Sequence, residues 1–304
     1  MATLTYYHLW GSTALSIVEL YRYLIRINDL PKSISFKEFL DEVQKLIREG
    51  AILSKNGYIG LNKNDFISRQ NNYKTSLLKK KKIRKYLKFF LWLPMVKGLA
   101  ISGSLTMDNA REGSDWDILV LCQNGKIWLT RFWLAFLSQL IGKRRYANNI
   151  KDRFCWNLFL TDTLMPKNFQ TWGNALMLSQ SEVLFGQNEF LSFCQKNSQW
   201  MEEKIFDFNF RYRWNYIWLM DTNLIVKIER QIGRILKPFF YLLNNKLVKK
   251  LQVRRIEKNT QGKNISQRYL YLSDDLLIFH YPPSKSVLAE ERTGENFEFR
   301  ISNE

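Results

Sequence analysis

Histidine is nearly absent from this sequence, cysteine is sparse, and no apolar run is long enough to span a bilayer. The three cysteines, Cys122, Cys155 and Cys194, are scattered, odd in number and never paired as Cys-x-x-Cys. That argues against a disulfide framework or a zinc centre and points to a reducing compartment. With two histidines in the chain, a Ser-His or Cys-His catalytic pair has little to draw on. His280, in Phe279-His280-Tyr281-Pro282-Pro283, reads as a turn residue. Arg131 interrupts the apolar stretch from Ile127 to Ile141, and Asp221 interrupts that from Trp214 to Val226. Neither reaches the roughly 18 to 20 residues that a transmembrane helix needs. Met1 to Trp10 lacks a basic leader, so the expectation is a cytoplasmic protein with no membrane span.

Acidic residues are also in short supply, with 28 Asp and Glu against 46 Lys and Arg, a net charge of +18. Such an excess predicts attraction to polyanions, RNA or DNA first and an anionic membrane surface second. Aromatic residues are plentiful (10 Trp, 14 Tyr, 21 Phe) and 46% of the chain is hydrophobic, which disfavours disorder. A chain of 304 residues has room for two or three domains with cores of their own.

The densest chemical signal runs from Gly103 to Asp117, Gly-Ser-Leu-Thr-Met-Asp-Asn-Ala-Arg-Glu-Gly-Ser-Asp-Trp-Asp. Apolar segments flank it, Val96 to Ile101 before and Ile118 to Leu121 after. In a strand, residues i and i+2 share a face, so Asp115 and Asp117 point one way and Trp116 the other. Two carboxylates on one strand face suit Mg²⁺, a hard cation that takes oxygen ligands. A Gly-Ser turn can present backbone N–H groups and a hydroxyl to a triphosphate.

The segment resembles the nucleotidyltransferase superfamily that includes DNA polymerase beta, the minimal bacterial nucleotidyltransferases and the aminoglycoside nucleotidyltransferases. Its signature is a strand, Gly-Ser, a short helix, then Asp-x-Asp on the next strand. The matching positions are Gly103, Ser104, Asp115 and Asp117, and the resemblance covers residues 96 to 122. It implies that Gly103 lets the backbone approach the phosphates and that Ser104 bonds the β- or γ-phosphate. Asp115 and Asp117 would hold Mg²⁺ while an acceptor hydroxyl takes the NMP of an NTP and pyrophosphate leaves.

Members usually carry a third carboxylate on a later strand. The next strand candidate, Phe154 to Leu160, offers only Asn157 at its centre. An amide oxygen can ligate a metal but is uncharged and no base. Asp162 lies just beyond that strand and Asp152 just before it. Three readings stay open: Asp162 substitutes, the enzyme works with two carboxylates, or the site binds nucleotide without turning it over. In the last case the chain is a nucleotide-sensing module that binds nucleic acid or a partner.

Around this core the pattern predicts an α+β protein. Residues 1–65 resemble a winged helix, with helices over Ala14 to Ile27 and Phe36 to Glu49 and an Asn56-Gly57 hairpin. Ser35 is the expected N-cap of the second helix and Gly50 its stop. Residues 66–95 form a basic connector helix carrying Lys79 to Lys82, either a solvated face or a phosphate-tracking one. Residues 96–168 form the small mixed-sheet core, with a helix over Trp128 to Ile141 and a basic loop, Lys143-Arg144-Arg145. Residues 169–289 read as a helical C-terminal domain with a break at Pro238, and 290–304 as a frayed tail. The acceptor is open among RNA, a protein hydroxyl and a small molecule, with the charge leaning toward RNA.

Overall fold

The computed structural model describes residues 1–26, 34–146, 149–206, 219–221, 224–280 and 288–293. It is an α+β protein with a mixed sheet at its centre. The N-terminal portion comprises α1 (Ala2–Gly11), β1 (Leu15–Ser16), α2 (Ile17–Arg22), α3 (Phe36–Arg48), β2 (Leu53–Lys55) and β3 (Tyr58–Gly60). Its three strands pair antiparallel in the order β1-β3-β2. The hairpin forms where Asn-Gly stands, because Asn56 and Gly57 both adopt the positive φ that its turn demands (51° and 78°).

The expected helix from Ala14 to Ile27 is shorter than its apolar spacing suggested, and Ile27 lies outside the described residues. Ser16 and Glu19 form a capping box that starts α2 at Ile17, and Leu15 and Ser16 pair with β3 instead. The preceding helix α1, made largely of buried aromatic and small residues, has no amphipathic period to announce it. Ser35 does cap α3, reciprocally with Glu38, and Gly50 follows its end at φ 70°.

α4 (Lys63–Leu91) is a single 29-residue helix opened by an Asn62–Asp65 capping box. Strands β4 (Val96–Ile101) and β5 (Trp116–Cys122), helix α5 (Ile127–Leu140) and strand β6 (Phe154–Thr161) follow. Then come α6 (Trp172–Gln180), β7 (Glu182–Phe185), α7 (Gln187–Lys204), α8 (Leu224–Ile235), α9 (Lys237–Tyr241), α10 (Asn245–Thr260), β8 (Leu270–Leu272) and β9 (Leu276–Phe279). The stretch from 169 onward is therefore not all helical: it supplies three strands to a six-stranded sheet ordered β7-β4-β5-β6-β9-β8. Only β5 and β6 run parallel. The helical spacing from Asn174 to Phe185 breaks at Ser181, where four buried residues join the sheet edge beside β4. The C-terminal helices break on both sides of the short α9, which carries Pro238 in its first turn. Residues 290–293, expected to fray, are helical, and Glu290 accepts the Gly173 N–H at 2.8 Å. The rest of the tail lies outside the described residues. No described helix is long and apolar enough to cross a membrane.

Each face of the sheet has its own core. Leu119 and Leu121 pack with the N-terminal portion, α6 and α7. Ile118, Val120 and Cys122 pack with α4, α5 and the C-terminal helices. This alternation on β5 places Asp117 on the first face and fully buried Trp116 on the second.

The connector's lysine run is not a uniformly solvated face. Lys79 and Lys80 are buried. Lys80 Nζ meets Asp108 at 2.8 Å and Glu182 at 2.5 Å, and Lys79 Nζ meets Asp152 and the Ser114 carbonyl at 2.8 Å each. Burial works against the charge on Lys80, but Glu182 and Asp108 outweigh it and hold the ammonium above its usual range. Burial also raises the Glu182 carboxyl, against the pull of Lys80.

Two predictions follow from these buried charges. Lys80→Met leaves Glu182 buried without its cation and should cost about 3–5 kcal/mol in urea unfolding. The double variant Lys80→Met/Glu182→Gln should recover at least half of that loss. His280 closes β9, with its ring Nδ1 buried and unpartnered among the described residues, and burial pushes its pKa from 6.5 down to about 4. The unfolded chain then takes up a proton below about 6.5 that the native protein refuses until about 4. Stability should fall across that window by up to about 3 kcal/mol, and His280→Gln should flatten the slope.

Candidate metal and nucleotide site

Asp115 and Asp117 stand where β5 begins, and the strand's burial fixes their direction. Trp116 anchors the opposite layer, its ring 5.0 Å from that of Phe154 and 5.9 Å from that of Tyr86. The Gly-Ser turn lies directly against them. Ser102 donates its N–H to the Asp117 carbonyl at 3.0 Å, and the chain then turns into a short 3₁₀ helix over Gly103–Met107. Gly103 has φ 70°, and a Cβ there would sit 2.6 Å from Asp117 Oδ2. Both the backbone conformation and the contact therefore demand glycine. The Ser104 carbonyl accepts the Asn109 N–H at 3.0 Å and so closes the turn.

The parallel neighbour β6 completes the site. Asp117 pairs in register with Cys155, and the register then slips by one residue before Leu119 meets Leu158. That bulge puts Asn157 on the carboxylate face, where its Nδ2 donates to Asp117 Oδ1 at 3.0 Å. Its own Oδ1 is buried without a partner. Asp115, Asp117 and Cys155 each offer a ligand atom within 4.8 Å of the others, so the group could hold a metal. A hard cation suits the two carboxylates. It does not suit Cys155, a soft ligand whose thiol is kept protonated by burial and by Asp117 and Asp115.

The electrostatics are strained. Burial, then the Asp115 charge, raises the Asp117 carboxyl far above its usual range, to about 7, against the opposing pull of Arg145, Cys155 and Asn157. Arg145 is the local cation: its Nη1 bonds Asp115 Oδ2 at 2.6 Å and Cys155 Sγ at 3.2 Å.

The remaining carboxylate candidates are elsewhere. Asp162 lies past the far end of β6, five residues or about 16 Å along the strand from Asn157, bonded to Lys196 at 2.5 Å and Ser192 at 3.2 Å. It is not a member of the site. Asp152 is occupied by Lys79 and Lys82, which hold its carboxyl low against the effect of burial. No third carboxylate joins the pair among the described residues.

The basic loop divides three ways. Lys143 lies over the rings of Tyr86 and Trp116, Arg145 faces the carboxylates, and Arg144 lines a separate cleft of about 450 Å³ with Tyr146, Asn149, Arg153 and Arg255. Burial, then Arg144 and Arg255, lowers the pKa of nearby Arg131 to about 10. No carboxylate forms an ion pair with Arg131, Arg144, Arg153 or Arg255 among the described residues. The sequence did not single out Cys155, and it left open whether Arg145 of the basic loop faces the carboxylates. The Cys155-x-Asn157 spacing, parallel to Asp115-x-Asp117, was the available signal for the first.

No protein-family model matches the chain, and neither do any curated protein or solved structure.

Gly103→Ala should cost about 1–3 kcal/mol of stability from backbone strain and displace Asp117. Thermal unfolding and Mn²⁺ titration by electron paramagnetic resonance should both register the change, with metal affinity falling at least tenfold.

Proposed function

We propose that the chain is a Mg²⁺-dependent nucleotidyltransferase that moves the NMP of an NTP onto an acceptor hydroxyl and releases pyrophosphate. The observation that carries this reading is the convergence of Asp115 and Asp117 on one strand face against a positive-φ Gly103 turn. In this reading Asp115, Asp117 and the Asn157 oxygen hold the cation, which would supply charge neutralisation at the phosphates. Gly103 and Ser104 receive the triphosphate, and Arg145 adds a fixed positive charge beside it. Transfer of this kind depends on positioning and electrostatics more than on covalent chemistry by the protein. The unpaired arginine cleft favours a polyanionic acceptor, RNA ahead of a protein hydroxyl or a small molecule.

A second reading, nucleotide binding without turnover, is favoured by Asn157 standing where relatives of this type carry a carboxylate. Asn157 cannot take the acceptor's proton, and both nearby aspartates are engaged elsewhere.

Transfer from α-labelled ATP, CTP, GTP and UTP with Mg²⁺ into a whole-cell extract separates the two. Asp115→Asn and Asp117→Asn should each lower transfer at least a hundredfold. Asp117→Asn should leave the melting temperature unchanged or raised, because it removes a desolvated charge. Loss of the label to ribonuclease or to protease names the acceptor class. Retained activity in both single variants would refute the assignment. Nucleotide binding with no label above the variants leaves the sensing module. Asn157→Asp restores a carboxylate and should raise transfer at least tenfold if the third position limits the reaction.

A further inference from the structure

Helix α8 is built inside out. Its inward side holds Val226 and Gly233, and a Cβ on Gly233 would lie 1.9 Å from the Trp92 carbonyl oxygen. Beside them Arg230 donates to the carbonyls of Leu91, Leu93 and Val96 at 3.0, 3.0 and 3.1 Å, tying α8 to the turn between α4 and β4. The helix thus docks through a glycine and a guanidinium. Its large apolar residues point the other way.

Leu224, Ile228, Ile232 and Ile235 are followed by Phe239 and Leu242, at spacings of 4, 4, 3, 4 and 3 residues. That averages 3.6, a stripe that α8 and α9 share across the break at Leu236 (φ −81°, ψ 0°). These six side chains are 43 to 77% exposed. A helix of a water-soluble domain turns such a stripe toward its core, and a contiguous exposed apolar surface marks a binding face.

Charge selects the occupant. Across α8 and α9, residues 224–242 carry four Lys and Arg against one Glu. At 100° per residue, Lys227 and Arg234 lie along one border of the stripe. A second copy of the chain docked by two-fold symmetry would bring a second set of these cations into the interface, with one Glu229 from each copy to offset them. An RNA backbone would neutralise the cations but leave six apolar side chains in water. An anionic bilayer surface satisfies both demands, taking the apolar stripe below the headgroups and the lysines and arginines among them. We propose that α8 and α9 form an interfacial anchor that holds the protein on an anionic phospholipid membrane without spanning it.

The test is flotation of the full chain with vesicles of phosphatidylcholine and phosphatidylglycerol (3:1) and with phosphatidylcholine alone. The protein should float with the anionic vesicles and at least tenfold less with the neutral ones. Ile235→Ser/Leu242→Ser, which leaves the net charge unchanged, should reduce flotation at least tenfold. Lys227→Gln/Arg234→Gln should lower it by about thirtyfold. Circular dichroism and melting temperature check that each variant folds, and if the serine variant does not, the glutamine variant carries the test. Absence of flotation with anionic vesicles, or equal flotation on neutral ones, would overturn the proposal. So would flotation that survives in the folded variants. A lipid-free dimer that light scattering shows to dissociate on the serine substitutions would assign the stripe to a subunit interface instead.

Discussion

Two consecutive buried lysines on one helix hold the loop on which the candidate site depends. Lys80 ties Asp108 and Glu182 to α4, and Lys79 ties Ser114 and Asp152. The same helix face supplies Ser76, whose hydroxyl accepts the Ala110 N–H at 2.9 Å, and Asn72, which donates to Asn109 at 2.9 Å. Positions 72, 76 and 79/80 recur at helical spacing, so α4 acts as a straight rail along residues 108 to 114. Asn109 extends the grip to the N-terminal portion through the Gly11 carbonyl at 3.0 Å and the Thr13 hydroxyl at 2.5 Å. Buried ion pairs seldom stabilise a fold more than well-packed apolar side chains would. Here they fix direction: with both ends of the loop clamped, the turn at Gly103 and the start of β5 have one relative placement.

That placement brings two carboxylates together with one nearby cation. Arg145 pairs with Asp115, and burial, then the Asp115 charge, raises the Asp117 carboxyl. The Asn157 amide lends Asp117 a donor, leaving its own oxygen unpartnered. A buried orphan acceptor and a carboxyl biased toward protonation describe a pocket short of positive charge. The deficit is local, in a chain whose net charge is +18. Arginines 144, 153 and 255 line a separate cleft instead, without carboxylate ion pairs among the described residues. Carboxylates and arginines are thus sorted apart, into the group that could hold a metal and the arginine-lined cleft.

Much of this was legible where the signal is local. Asn56-Gly57 specified its turn, Ser35 and Glu38 their cap, and the Asp115-Trp116-Asp117 alternation its two faces, because each rests on backbone geometry within a few residues. What escaped was set by contacts distant in the chain. Glu182 to Phe185 has a helical apolar pattern yet pairs with β4, since the sheet edge there buries all four residues. The lysine run gave no sign that two of its members turn inward, because burial of a charge depends on partners as far off as Glu182. Arg145 could not be told from Arg144 without the bridge that sets residues 143–145 beside β6. The bulge that delivers Asn157 to Asp117 changes no residue type at all.

The apolar stripe on α8 bears on the same rail. Arg230 fastens α8 to the carbonyls at the end of α4, and Lys80, in the middle of the site clamp, lies 11 residues earlier on that helix. At 1.5 Å per residue this is about 16 Å along the axis. Helix α4 is continuous between the two points and has no proline or glycine within it, so nothing in it provides a hinge. A membrane surface that orients α8 would therefore orient the clamp, the Gly103 turn and the Asp115–Asp117 face with it. On that geometry an acceptor would meet the site at a set height above the bilayer, and the choice of acceptor becomes a matter of reach as well as of charge.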